Sequence, residues 1–311
     1  MEADLYEELR PRGFAIAYRM LGSVTEAEDL VQEGLLRLHR AIDDGEAIES
    51  PGAYLATVVT RLAIDELRSA RVRRERYVGE WLPEPLVTAE ENEPAGQAEM
   101  ADSLSLAFLV LLESLSPEQR AVFLLREVFD YPFKEIADIV GKSEPAVRQL
   151  AVRARGHVGE GRRRFDASRE EREELARRFF AATQEGDLAA LKELLAEDVV
   201  LRGDGGGKAP ALARAVHGRE RAARTLAAWV RAGSRLDWFE LHPTEVNGQP
   251  GAITLTPDGK VISALSLDIA EGRIQAIHGI VNPDKLRHLG PVADVRALLR
   301  GSGGGRVGSA E

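Results

Sequence analysis

The sequence predicts a multidomain chain: two all-α modules, the second built around a helix-turn-helix, followed by an α+β domain. Three observations predict it. Residues 1–79 and 106–165 repeat apolar side chains at helical spacing, with charge on the remaining positions. Residues 80–105 break that periodicity with prolines and acids. Beyond 166, helical segments give way to β-type runs separated by turn signals at Asn247-Gly248, Pro257-Asp258-Gly259 and Glu271-Gly272, an order that indicates a separate α+β domain.

The first module opens on "EAEDLVQEGLLRLHRA" (26–41), where Leu30, Val31, Leu35 and Leu38 share one side of a helix. Thr25 is the expected N-cap, and Glu28 the partner that completes a capping box. Ser50 followed by Pro51 starts a second helix that ends in a basic cluster of Arg68, Arg71, Arg73, Arg74 and Arg76. The segment 80–105 holds seven acids and no Lys or Arg, and reads as an acidic flexible linker. Helices resume near Ala101, with Ser116-Pro117-Glu118 as a start signal.

In "FKEIADIVGKSEPAVRQLAVRARG" (133–156) the expected seam between two short helices is Ile136, Ala137, Val140, Val147 and Leu150. Gly141 supplies the turn, Ser143 the N-cap, and Pro145 is tolerated in the first helical turn. Glu144, Arg148, Gln149 and Val152 then face outward near the start of the second helix, with Arg153 and Arg155 further along. Recognition helices use early positions for base edges and flanking cations for phosphate, and Gln suits adenine as Arg suits guanine. A helical hairpin with a solvated basic face gives the same pattern.

The net charge of -10 opposes indiscriminate nucleic-acid binding, so positive charge is local. Cysteine is absent, which excludes disulfides and thiolate-bound zinc and fits a reducing cytoplasm. The amino terminus lacks the basic and apolar regions of a secretion signal, and no apolar run approaches the ~20 residues of a membrane helix.

Taken together, "AYRMLGSVTEAEDLVQEGLLRLHRA", "YLATVVTRLAIDELRSARVRRE" and "LSPEQRAVFLLREVFDYPFKEIADIVGKSEPAVRQLAVRARGHV" resemble the extracytoplasmic-function sigma factors of bacterial RNA polymerase, over about the first half of the chain. The resemblance implies that residues 1–79 dock on the polymerase clamp and open the minus-ten element, through Asp29, Gln32 and Glu33 on polymerase and Arg61, Asp65, Arg68, Arg71, Arg73 and Arg74 on DNA. Residues 106–165 would bind the minus-thirty-five element through Ser143, Arg148, Gln149, Val152, Arg153 and Arg155, and contact the polymerase flap. Arg61 stands where many relatives have Asn, and Leu150 where many have a basic residue. The acidic linker has the charge of a nucleic-acid strand; it lies either in a basic channel of polymerase or against the chain's own arginines.

Three further motifs, "WLPEP" (81–85), "DGGGK" (204–208) and "NPDKL" (282–286), are similar to those of the sigma-factor subgroup with a fused SnoaL-like domain. That resemblance implies a cone at 166–290, with helices on a curved antiparallel sheet enclosing a pocket for an unidentified small ligand, and control of sigma activity in cis. Gly205, Gly206 and Gly207 let a partner approach the main chain, and Asp204 and Lys208 can bind at that contact. A phosphate loop is excluded because Ala209 follows Lys208. Pro283 ends the last strand, leaving Asp284 and Lys285 exposed at the rim beside Asn282 and Leu286. Trp81, Leu82 and Pro83 form an apolar patch in a polar tether, and such a patch seeks a docking surface near the other two motifs. Residues 291–311 read as a flexible tail.

No enzyme, cofactor or metal is implied. Asp268, His217 and His278 are the candidate acid–base groups, but their spacing requires no such chemistry, and the six histidines show no ligand pairing. Two other functions remain open: a helix-turn-helix regulator with a ligand-binding domain, and a SnoaL-type enzyme fused to a DNA-binding module.

Overall fold

The computed structural model describes residues 2–74, 77–88, 103–159, 168–233 and 240–303, with side chains over 5–69, 77–88, 103–159, 168–229 and 240–300. The chain divides into two compact units. One comprises Met1–Arg76, Gly96–Leu104 and Phe108–Arg162; the other comprises Tyr77–Ala95, Ser105–Ala107 and Arg163–Glu311.

In the first unit, α1 (Glu2–Leu21), α2 (Val24–Asp43) and α3 (Pro51–Arg74) pack on one another. Val31 and Leu38 are buried on α2, while Leu30 and Leu35 are half-buried beside them. The cap of α2 differs from expectation. Ser23, not Thr25, accepts from the Glu26 backbone N–H at 3.2 Å. Gly22 turns the chain at a φ of 68°, so the helix starts at Val24 and Thr25 already lies inside its first turn. Ser50 Oγ accepts from the Ala53 N–H at the start of α3.

The second module contributes α4 (Leu106–Leu112), α5 (Pro117–Glu127), α6 (Phe133–Val140) and α7 (Glu144–Gly159). Ser116 and Gln119 form a reciprocal capping box on α5. Gly141 is left-handed and closes α6 onto the Ala137 carbonyl, giving the helix-turn-helix its turn. The seam is shifted relative to expectation: Ile136, Ala137 and Val147 are buried, but Val140 and Leu150 are only half-buried. Ile139, Ala151, Ala154 and Val158 complete it instead. On α7 the buried stripe runs 147, 151, 154, 158, and position 150 falls one step off that stripe.

Two buried arginines tie the modules of this unit together. Arg120 on α5 donates to the carbonyls of Met20 (2.6 Å) and Leu112 (2.7 Å) and pairs with Glu113 at 2.8 Å. Arg19 on α1 donates to Ser103 Oγ at 2.9 Å and lies over the Phe129 ring; burial pulls its pKa down to about 10.

The second unit begins with an extended stretch, 77–88, described below. Next come α8 (Arg169–Glu185), capped by Ser168 with Glu171, and α9 (Leu188–Leu194), capped by Asp187. They lead into β1 (Leu195–Asp204), β2 (Val216–His217) and α10 (Arg219–Gly233), then β3 (Glu240–Val246), β4 (Gln249–Leu255), β5 (Val261–Ala270) and β6 (Arg273–Ile280). The sheet order is β2-β1-β6-β5-β4-β3. It is antiparallel except that β1 and β6 run parallel. The helical crossover between them frees their direction from any hairpin. Asn247-Gly248 and Glu271-Gly272 make the hairpin turns, all four residues at positive φ. Register shifts at three strand pairs bend the sheet.

Apolar residues of α8, α9 and α10, Phe179 and Phe180 of α8 among them, cover one sheet face and cluster with Leu201, Leu267, Ile269 and Ile277. The segment 291–303, expected within a flexible tail, is folded. Val292 bridges to Val261, and α11 (Val295–Gly303) follows. The cause is backbone pairing: Val261 donates to the Pro291 carbonyl and accepts from Ala293. Residues 304–311, the rest of that tail, lie outside the described residues. No helix among the described residues is long and apolar enough to cross a membrane.

Candidate functional site

The three motifs of the second unit converge on one carboxylate. Asp204, fully buried at the end of β1, uses all of its acceptor capacity. Its Oδ1 accepts from the Tyr77 hydroxyl (2.5 Å) and the Gly206 N–H (3.0 Å); its Oδ2 accepts from the Leu82 N–H and Lys285 Nζ at 2.8 and 2.7 Å. The Asp204 carbonyl accepts from Val281 and Asn282, which holds the NPDKL turn against the same strand end.

Lys285 was expected at the exposed rim and is instead only 7% exposed. Its ammonium donates to the Leu82 carbonyl as well as to Asp204, and lies 4.3 Å from the Trp81 ring centroid and 4.9 Å from that of Tyr77. One counter-charge and two π faces thus offset the desolvation of the buried ammonium. Asp284 does remain at the rim, where it pairs with Lys208 and accepts from Arg287 at 2.8 Å. The Asn282 side chain donates to the Tyr77 hydroxyl at 2.8 Å, Pro283 starts a short 3-10 turn, and Leu286 is fully buried. Burial, reinforced by Asp204, pushes the Tyr77 phenol well above its ordinary range, so it remains a donor.

The glycines are required by space. A Cβ at Gly205 would run into the Ala209 carbonyl, and one at Gly206 into the Asn282 amide and the Tyr77 hydroxyl. Gly206 and Gly207 also have positive φ, 56° and 68°.

The stretch 77–88 is therefore no free tether but a strap. Leu82, Pro83, Glu84 and Pro85 are buried, and Trp81 is half-buried. Beyond the motif, Leu86 exchanges hydrogen bonds with Asn247 (2.9 and 2.7 Å), His288 Nε2 meets the Pro85 carbonyl at 2.7 Å, and Val87 bridges to Val246. Glu80 accepts from the Ala215 N–H and lies 3.8 Å from Arg202. Tyr77, Asn247 and His288 were missed in the sequence. Asn247 reads there only as a turn residue, and nothing near Tyr77 marks it as a ligand of Asp204. Residues 89–102 of the expected linker lie outside the described residues.

The acid–base candidates separate. His217 is exposed on β2. Asp268 and His278 form a buried pair at 2.7 Å across β5 and β6. They lie on the sheet face opposite Leu267 and Ile277, hence turned away from the helix-covered core. Their spacing in sequence concealed a pairing that strand register creates.

In the first unit, Asp29, Gln32 and Glu33 share one side of α2, with Glu33 paired to Arg37 at 2.7 Å. Leu36, 43% exposed, extends the same stripe and was overlooked as a surface residue. Arg61, Asp65 and Arg68 are exposed on α3, yet none faces empty solvent as an isolated charge. Arg61 donates to the Asp138 and Ile139 carbonyls, both at 2.8 Å. Arg68 bonds Asp65 at 2.9 Å and Glu118 at 2.6 Å, which raises its own pKa and holds the Glu118 carboxyl low. Arg71, Arg73 and Arg74 occupy the last turn of α3, and their side chains lie outside the described residues.

On α7, Ser143, Arg148, Gln149, Val152, Arg153 and Arg155 are all exposed at or after the start of the helix. The Ser143 carbonyl accepts from Val147. Arg148 lies 4.3 Å from the Phe133 ring centroid and bonds Glu144 at 2.6 Å, while Arg155 pairs with Glu127 at 2.7 Å. Val152, an apolar group, is 66% exposed.

Comparison with known proteins agrees with this layout. The Sigma-70 region 2 family matches residues 5–73, Sigma-70 region 4 matches 105–158, and the SnoaL-like domain matches 176–281. The chain is 38% identical to the ECF RNA polymerase sigma factor SigJ of Mycobacterium tuberculosis, over 97% of this chain and 98% of that protein. It is 32% identical to the probable ECF sigma factor SigI of the same organism, over 87% and 90% respectively. The crystal structure of Mycobacterium tuberculosis SigJ superposes with a TM-score of 0.75, covering 94% of this chain and all of that one, at 36% identity. Two sigma modules in order, a third domain behind them and likeness along nearly the whole length leave one conclusion: the chain belongs to the extracytoplasmic-function sigma factors of RNA polymerase, in the form that carries a SnoaL-like domain at its C-terminal end.

Proposed function

We propose that this sigma factor directs core polymerase to a restricted promoter set and is restrained in cis by the strap that its SnoaL-like domain holds. The observation that carries this reading is the buried Asp204–Lys285 pair closing on Tyr77, Trp81 and Leu82. The strap belongs to the connection between the two sigma modules. While residues 77–88 are held, that part of the connection keeps one conformation and cannot adjust. A promoter engaged at two elements needs that freedom. The third domain thus acts on the connection between the promoter grips.

On polymerase, the stripe of Asp29, Gln32, Glu33 and Leu36 supports docking to the clamp, with carboxylates around an exposed leucine facing a basic partner surface. The flap is the expected contact of residues 106–165. At the minus-ten element Arg61, Asp65, Arg68, Arg71, Arg73 and Arg74 serve as DNA contacts. At the minus-thirty-five element Arg148, Gln149 and Val152 read bases, and Ser143, Arg153 and Arg155 hold phosphates. Arg148→Ala should cost about 1–3 kcal/mol at one base pair, measured by competition among single-position promoter variants. An equal loss on every variant would reduce Arg148 to a phosphate contact.

The regulatory reading is tested by promoter-specific transcription reconstituted with purified core polymerase. Trp81→Ala, which removes a π face from Lys285, should raise basal transcription above that of the unaltered chain. Unchanged transcription ends the restraint proposal, while failure of both chains to support initiation ends the promoter-directing reading.

A further inference from the structure

The first unit spends its promoter-facing cations on itself. We infer that the second sigma module is a built-in competitor of minus-ten DNA: the end of α6 and Glu118 of α5 bind the same guanidinium groups, Arg61 and Arg68, that the promoter needs. This rests on the proposed minus-ten role of those two residues.

Four observations carry it. Arg61 makes two hydrogen bonds, each 2.8 Å, to the carbonyls of Asp138 and Ile139, residues far away in sequence. Those carbonyls belong to the last turn of α6, where the final C=O groups lack helical partners and carry partial negative charge, as phosphate oxygens do. Arg68 meets Glu118 at 2.6 Å, with Asp65 on its other edge at 2.9 Å. Finally, the two modules share a buried tie, because Arg120 of α5 donates to the Met20 carbonyl at the end of α1. A guanidinium has a limited set of donors in a fixed fork, so each bond to α6 or Glu118 must break before a phosphate or base can take its place. The occupant mimics nucleic acid by position of oxygen atoms, not by sequence.

The latch is distinct from the strap. The strap is held by the SnoaL-like domain, whereas every latch atom lies within the first unit. It predicts that freeing the strap alone leaves Arg61 and Arg68 occupied, and that polymerase, by drawing the two modules apart, exposes them.

The decisive experiment uses the full chain, whose lack of cysteine allows two dye labels at exposed positions, Glu46→Cys on the first module and Lys134→Cys on α6. Energy transfer between the dyes reads closure without DNA. Glu118→Arg, on the partner side of the contact and outside the DNA-contacting set, should lower transfer in the free chain. It should also raise affinity for a minus-ten DNA fragment by roughly fivefold, the scale of an exposed ion pair. Adding Arg68→Glu to Glu118→Arg should restore transfer. Core polymerase should lower transfer in every version. Unchanged transfer in Glu118→Arg, with an unchanged thermal melt, overturns the latch. The promoter role is read separately: Arg61→Ala in the polymerase-bound state should weaken minus-ten binding. If it does not, while Glu118→Arg still opens the free chain, closure stands and competition with DNA falls.

Discussion

Asp204→Ala should destabilise the SnoaL-like domain by about 3–5 kcal/mol and release the strap in the same step. The carboxylate is fully buried, and its loss strips the acceptor from the Tyr77 hydroxyl, the Leu82 and Gly206 N–H groups and the Lys285 ammonium together. A buried ammonium deprived of its carboxylate is costly, so residues 77–88 should peel away to let water reach it. Urea unfolding measures the first effect. Chymotrypsin cleavage at Tyr77 and Trp81, slow in the native chain, measures the second. Combining Asp204→Ala with Lys285→Met should recover part of the lost stability without restoring the strap, because the orphaned charge is gone but the anchor is still missing. If Asp204→Ala unfolds at the same urea concentration as the unaltered chain, the carboxylate is no anchor.

Arg120→Met should cost about 2–4 kcal/mol in the first unit, from lost charge-assisted bonds and from carbonyls left buried without a donor. Its guanidinium is 3% exposed and serves the carbonyls of Met20 and Leu112 and the carboxylate of Glu113. Methionine fills a comparable volume, so the expected loss is mainly one of hydrogen bonding. The measurement is the midpoint of thermal unfolding, followed alongside the labelled-cysteine distance. A lower midpoint together with a longer distance would show that one buried arginine stabilises the unit and keeps its modules together. A melt unchanged from the native chain would contradict the assignment of Arg120 as a tie.

The helix-turn-helix was legible because its chemistry is local. Gly141 has to be left-handed, and Arg148, Gln149 and Val152 point outward by helical period alone. The three motifs of the strap site were equally visible as strings, and their mutual approach was expected from the apolar patch at Trp81, Leu82 and Pro83. What escaped was the part each side chain plays. Lys285 looked like a surface lysine because nothing nearby in the chain neutralises it; its partners are Asp204, Trp81 and Tyr77, all more than seventy residues away. Asp268 and His278 looked unrelated until strand register set them on the same sheet face. Arg61 and Arg68 read as contacts for minus-ten DNA, and their bonds to α6 and Glu118 were not foreseen, since a charged exposed helix face carries no sign of what will dock on it.

Sequence by itself determined the order of modules, the helix limits set by Pro117 and Gly141, the hairpins at Asn247-Gly248 and Glu271-Gly272, and membership in the sigma-factor class, because each depends on residues within a turn or two of one another. Only the tertiary structure decided which charges are spent and which remain available. Desolvation and pairing depend on neighbours brought together from distant parts of the chain, so the same residue type can be a solvated surface group, as Lys134 is, or the buried centre of a lock, as Lys285 is.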